Sequence, residues 1–205
     1  MANTPRRRLL KYIAAVSAAI SAPSIVNAAT RTPQASEGPF YPTENMRFSD
    51  VDNDLVKIAG LVTEAGGEII YLSGRVLDRQ GNPVPSARVE IWQVDTNARY
   101  IHTGDTGGEP RDTGFQGIGH DITDAEGKYQ FRTIKPVPYP GRTPHIHVKV
   151  FAGDVELTTQ FYIADHPLNR KDSLYRRMSR KERRAVEMVF TGEPNAERAV
   201  VDIVL

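Results

Sequence analysis

The sequence predicts a mainly β protein: a β-sandwich or small barrel of antiparallel strands, with a long glycine-rich loop and one late α-helix. Three observations predict it. Short segments that alternate apolar and polar side chains recur along the chain, separated by clusters of Gly, Pro, Asn and Asp. Only Leu168 to Phe190 has helical character, with Leu174, Met178, Ala185 and Val189 set among mixed charges. The 205 residues are 40% hydrophobic and 25% charged and include no cysteine, which excludes a disulfide scaffold, a collagen, a coiled coil and a disordered chain.

Taken in order, the chain opens on Arg6, Arg7, Arg8 and Lys11, its only charges before Arg31. The uncharged stretch that follows, ending in the small residues around Ala28, has the layout of a cleaved export signal over residues 1–28. Arg6-Arg7-Arg8-Leu9-Leu10-Lys11 resembles a twin-arginine signal, a route that carries folded proteins. The alternative is a membrane anchor, but Ala, Ser, Pro23 and Asn27 make the stretch weakly apolar for a span of about 20 residues. Without residues 1–28 the chain holds 22 basic and 25 acidic residues, a net charge of −3. That balance argues against a nucleic-acid partner. The expectation is a periplasmic or secreted protein with no stable membrane anchor after cleavage.

Residues 29–68 read as an N-terminal arm, irregular and rich in Pro, Ser, Gly and Thr as far as Met46. Within it, the prolines of Glu37-Gly38-Pro39-Phe40-Tyr41-Pro42 impose an extended path around two aromatics. Residues 69–205 hold the strands. Ile69 to Asp78 and Ala87 to Val94 flank the turn Arg79-Gln80-Gly81-Asn82-Pro83. From Asp95 to Asp121 the chain has six glycines and few apolar residues, a loop of the length that usually carries function. Lys128 to Ile134 is a third strand, His145 to Phe151 a fourth, Asp154 to Ile163 supplies another, and Ala199 to Leu205 is strand-like.

Chemistry concentrates at the fourth strand. His145 and His147 share one face by alternation, and neutral imidazole is the commonest protein ligand for Zn, Cu and Fe. A pair of ordinary polar strand residues would show the same spacing. Upstream, Pro138 and Pro140 clamp Tyr139, which presents the ring, and Arg142 lies three residues before His145. Tyr100 opens the glycine-rich loop. For both tyrosines the alternative is a surface ring with its hydroxyl in water. If two tyrosines and two histidines converge, chemistry narrows the metal. A phenol titrates near ~10, so binding as phenolate at neutral pH calls for a hard, highly charged cation such as ferric iron.

Gly74-Arg75-Val76-Leu77-Asp78, Gly81-Asn82-Pro83-Val84-Pro85, Val89-Glu90-Ile91-Trp92-Gln93, Phe131-Arg132-Thr133-Ile134-Lys135-Pro136, Pro138-Tyr139-Pro140 and Pro144-His145-Ile146-His147 together resemble the intradiol ring-cleavage dioxygenases, within that family the protocatechuate 3,4-dioxygenase type. The likeness runs from about Glu37 to Tyr162. It implies that residues 69–205 form the catalytic β-sandwich. It further implies that Tyr100, Tyr139, His145 and His147 ligate one non-haem Fe(III) per chain, with Tyr139 and His145 axial. Arg142 then stabilises negative charge on the substrate ring, Gln160 lines the pocket, and Tyr139 leaves the metal with a substrate proton. The implied reaction cleaves a catechol between its hydroxylated carbons with O2 to a cis,cis-muconate, in the catabolism of aromatic compounds. The implied assembly is a homo- or hetero-oligomer.

Three departures stand out. Ala98 replaces a usual glycine two residues before Tyr100. Only Pro140 and Gly141 separate Tyr139 from Arg142, where the protocatechuate enzymes carry a longer insertion, implying a more open pocket. The helical dimerisation domain of the catechol and hydroxyquinol branches has no counterpart between residues 29 and 68. Two other readings compete: an exported, non-catalytic transthyretin-like β-sandwich binding module, and a zinc or copper site. Of the other histidines, His102 falls near Tyr100, whereas His120 and His166 read as loop residues with local hydrogen bonds. The charge run from Arg176 to Glu187 reads as the solvated face of one helix.

Overall fold

A computed structural model describes residues 29–205, so the expected export signal lies outside the described residues. The elements in chain order are β1 (Ile69–Leu77), β2 (Arg88–Trp92), β3 (Ile118–Ile122), β4 (Lys128–Ile134), β5 (His145–Ala152), β6 (Val155–Ile163), α1 (Ser173–Arg177), α2 (Arg180–Arg184), β7 (Glu187–Met188), β8 (Glu197–Val200) and β9 (Ile203–Val204). A single 3-10 turn, Glu44–Met46, interrupts the otherwise irregular arm.

The strands form two sheets, with β4, β1 and β8 in order in one, where β9 also pairs with β1, and β3-β2-β5-β6-β7 in the other. Ile70, Leu72, Phe131 and Ile134 from the first face Val89, Ile91, Ile146, Val148 and Val150 from the second, all buried, and these make the inter-sheet core. Alternation along β2 and β5 therefore turns Glu90, Trp92, His145 and His147 to the opposite, outer face of the second sheet.

A mainly β sandwich is found as expected, with four differences of detail. The sheets stay open, so there is no closed barrel. Pairing is not wholly antiparallel: β8 and β9 run parallel to β1, and β7 parallel to β6, because long connections return the chain in the same direction. The single late helix is instead two five-residue helices, since Ser179 caps α2 through a capping box with Glu182 and stops α1 just before it. The long loop is shorter than expected because its end, Ile118–Ile122, pairs with β2 as β3, which puts His120 on a strand opposite Glu90. Among the described residues no helix is long and apolar enough to cross a membrane.

Gly74 in β1 shows how closely the C-terminal segment packs. A Cβ there would lie 1.9 Å from the Val201 carbonyl oxygen, on backbone that Val201 N–H holds by donating to the Ser73 carbonyl at 2.9 Å. Gly74→Ala is therefore expected to destabilise the fold by about 1–3 kcal/mol through overpacking, read as a lower melting temperature in thermal unfolding. An unchanged midpoint would mean that the segment is free to shift.

Candidate metal centre

Register on the outer face of the second sheet builds the floor of the site. Trp92 lies opposite His147, which lies opposite Gln160 on β6, and His145 lies opposite Tyr162. The Trp92 ring stacks on the His147 imidazole at 4.7 Å and 15°, which sets the plane of that ring. Tyr41 packs edge-on against Trp92 at 4.9 Å, and its hydroxyl donates to buried Glu90 at 2.5 Å.

Two loops bring the tyrosines over this floor. Tyr139-Pro140-Gly141-Arg142 is a tight turn in which Arg142 N–H donates to the Tyr139 carbonyl at 2.9 Å. Pro140 presets its own φ, and Gly141 adopts a φ of +83°, the combination that a type II turn requires. The two-residue connection thus sets Tyr139 beside Arg142. Tyr100 closes a turn organised by Asp95, whose Oδ1 accepts from Asn97 N–H and Arg99 N–H at 2.8 and 3.0 Å. Ala98 sits in that turn at a φ of +60°, which accounts for a preference for glycine there; its left-handed backbone costs about 1–2 kcal/mol. Tyr100 stays in place, its N–H donating to Asp105 Oδ2 at 2.6 Å.

The four candidate ligands converge. Tyr100 Oη lies 2.9 Å from His147 Nε2 and 3.4 Å from Tyr139 Oη, and His147 Nε2 lies 3.2 Å from His145 Nε2. Donors bound to one ion at about 2.0–2.2 Å are separated by about 2.8–3.6 Å, so this set fits a metal. His145 Nδ1 lies 2.7 Å from the Thr143 carbonyl, an interaction that places the proton on Nδ1 and leaves the Nε2 lone pair for the site. His147 Nδ1 is buried without a hydrogen-bond partner among the described residues. Among the described residues no three His, Cys, Asp or Glu side chains are placed to hold a metal, so a metal here relies on the tyrosines.

Burial governs the electrostatics. It pushes the His145 imidazole down to about 4, with the Arg142 charge acting in the same direction. Burial, then His145 and Arg142, hold His147 well below its ordinary value. Both rings are therefore neutral donors. Burial also raises the Tyr100 phenol well above 10, and neighbouring Tyr139 raises it further. Only a strong cation reverses that for a phenol so placed.

Arg142 and Gln160 both lie beside these side chains. Arg142 Nη1 lies 3.5 Å from Tyr139 Oη, and Nη2 donates to Gln160 Oε1 at 2.6 Å. His102 lies at the rim, its ring 5.7 Å from that of Phe40. His166 is local as expected, its Nδ1 accepting from Leu168 N–H at 3.3 Å, although it also meets Thr143 Oγ1. Other participants carry little site signal in the sequence. Tyr162 donates to Gln160 Oε1 at 2.8 Å, and Gln160 Nε2 donates to the Ser36 carbonyl of the arm at 3.0 Å. Gly38, at a φ of +76°, passes so close that a Cβ would lie 3.6 Å from His147 Cε1. Asp172 is wholly buried and accepts from Arg142 Nε at 2.8 Å. Its one sequence signal is its place just before a helical run, which marks an N-cap.

Comparison with known proteins points the same way. The chain matches the Dioxygenase family over residues 36–200. It is 42% identical over 147 residues to the protocatechuate 3,4-dioxygenase beta chain of Burkholderia cepacia, covering 67% of this chain and 61% of that one. It is 30% identical over 190 residues to the catechol 1,2-dioxygenase of Acinetobacter baylyi, covering 82% and 57%. The chain thus spans about three fifths of the length of these two relatives. Among solved structures, the dioxygenase domain of a dioxygenase carbohydrate-binding protein fusion from the cellulolytic bacterium Streptomyces sp. SirexAA-E is 32% identical, with a TM-score of 0.63 over 86% of this chain and 98% of that one. A match over most of the described chain, on a fold that gathers the two tyrosines and two histidines, places this protein in the intradiol ring-cleavage dioxygenase family.

Proposed function

We propose that the protein is an exported, non-haem iron(III) intradiol dioxygenase that cleaves a catechol-type ring between its two hydroxylated carbons with O2, giving a cis,cis-muconate-type product in aromatic catabolism. The observation that carries this reading is the unbroken run of donor atoms Tyr139 Oη, Tyr100 Oη, His147 Nε2 and His145 Nε2, each 3.4 Å or less from the next. A non-catalytic sandwich module leaves that convergence unexplained.

Tyr100, Tyr139, His145 and His147 would hold one iron. When bound, iron(III) supplies the Lewis acidity that turns a catechol into an electron-rich dianion able to react with O2. The protein's own groups supply the rest. Tyr139, partly buried at the turn, would as a phenolate take up one of the two catechol protons at Oη while the other leaves to solvent, and Arg142 Nη1 beside it steadies the oxygen as its charge changes. The Arg142 guanidinium also faces the space where negative charge grows on the ring, a preorganised electrostatic contribution. Gln160 spans from Arg142 to the arm at Ser36 and so ties the guanidinium to the arm.

Purified protein loaded with ferric iron is expected to hold about one iron per chain, to be coloured by tyrosinate-to-iron charge transfer, and to shift its band when catechol or protocatechuate is added without O2. A protein that stays colourless and takes up no O2 after ferric reconstitution would sink the proposal.

A further inference from the structure

Asp172 is 1% exposed, comes from the segment before α1, and sits 30 residues from Arg142, yet its two carboxylate oxygens serve different structures. Oδ1 accepts from Leu174 N–H and Tyr175 N–H at 2.9 and 3.1 Å and caps α1. Oδ2 accepts from Arg142 Nε at 2.8 Å and from Thr143 N–H at 3.1 Å. The guanidinium is a rigid planar fork, so fixing Nε fixes where both other nitrogens point. Here they point to Tyr139 Oη and to Gln160 Oε1, and Gln160 is itself held by Tyr162 and Ser36. Thr143 is held further by its Oγ1 donating to Asn169 Oδ1 at 2.7 Å, so the turn bearing Arg142 is pinned to the same segment that supplies Asp172.

We propose that Asp172 is a positioning residue for the ring-cleavage reaction, its Oδ2 aiming the Arg142 guanidinium across Tyr139 toward the substrate. This rests on reading Arg142 as the cation that stabilises charge on the ring. The division of labour between the two oxygens makes the idea testable, because two substitutions keep the cap and lose the aim. In Asp172→Asn the Oδ1 acceptor stays, while an amide donor faces the Arg142 and Thr143 donors. In Asp172→Ser a good capping hydroxyl remains but is too short to reach Arg142.

The test uses the iron-loaded full chain and compares iron content, the resting charge-transfer band, melting temperature, and kcat and KM for catechol by O2 uptake. Asp172→Asn and Asp172→Ser are both expected to keep iron, colour and KM while kcat falls about 10- to 100-fold, the range typical for outer partners of a metal site. Parental kcat in either folded variant would overturn the proposal, since a residue that only caps α1 would leave turnover unchanged in both. If neither variant folds, Arg142→Lys decides. Lysine keeps the charge but cannot hold Asp172, Tyr139 and Gln160 together, so kcat falls similarly, and a fully active Arg142→Lys protein overturns the idea. An unsubstituted protein that binds no iron overturns the functional reading itself, and this inference with it.

Discussion

The His147→Ala protein is expected to fold, to carry no iron and to take up no O2 with catechol. His147 supplies one of the four donor atoms, its Nε2 lying within 3.2 Å of both Tyr100 Oη and His145 Nε2, so its loss opens the middle of the set. The remaining imidazole and two phenols must then hold a hard cation alone. The effect on folding is expected to be small. The lost stacking on Trp92 is offset because the ring leaves with Nδ1, a buried polar atom without a hydrogen-bond partner among the described residues, whose desolvation costs about 1–3 kcal/mol. Iron analysis with circular dichroism checks both parts. A coloured, iron-loaded His147→Ala protein that still consumes O2 would remove this residue from the metal centre.

Arg142→Ala is expected to cost about 10²- to 10³-fold in turnover, the scale for removing one preorganised charge-stabilising group, and to destabilise the protein as well. The second effect comes from Asp172. Burial alone would raise its carboxyl, but the Arg142 hydrogen bond and charge, with the N–H groups of Tyr175 and Thr143, overcome that and hold it below the ordinary range. Removing the guanidinium strands a buried carboxylate, at about 3–5 kcal/mol. A carboxyl lowered in the folded state stabilises the protein above its unfolded value and loses that contribution as pH falls through the folded one. In Arg142→Ala the folded value rises, so acid unfolding is expected to begin at higher pH than in the parent. Adding Asp172→Asn neutralises the stranded charge and is expected to recover stability without recovering turnover. Parental turnover in Arg142→Ala would remove Arg142 from the reaction.

Much of the core was legible because alternation is a local property. Ile69 to Asp78, Lys128 to Ile134 and His145 to Phe151 each show which residues face inward, and the strands found there differ at their ends by at most one residue. The late helix differs for a local reason too: the mixed charges from Arg176 to Glu187 keep helical spacing, but Ser179 with Glu182 begins a new helix and leaves no room for a long one. The segment Ile118–Ile122 was invisible as a strand because Gly119, His120 and Asp121 carry no β signal of their own. Pairing with β2 makes it a strand.

Of the candidate site, the sequence by itself determined the donor types, the shared face of His145 and His147, and the turn that sets Tyr139 beside Arg142, since each follows from spacing or from proline and glycine over a few residues. Only the tertiary structure decided that Tyr100 reaches the same point, that the arm at Ser36 and Gly38 closes over it, and that Asp172 holds Arg142 from 30 residues away. The physical reason is range. Backbone preferences act across a turn or a strand, whereas these contacts form when two sheets pack and distant loops meet over one buried face, where unpaired polar groups are too costly to leave unmatched.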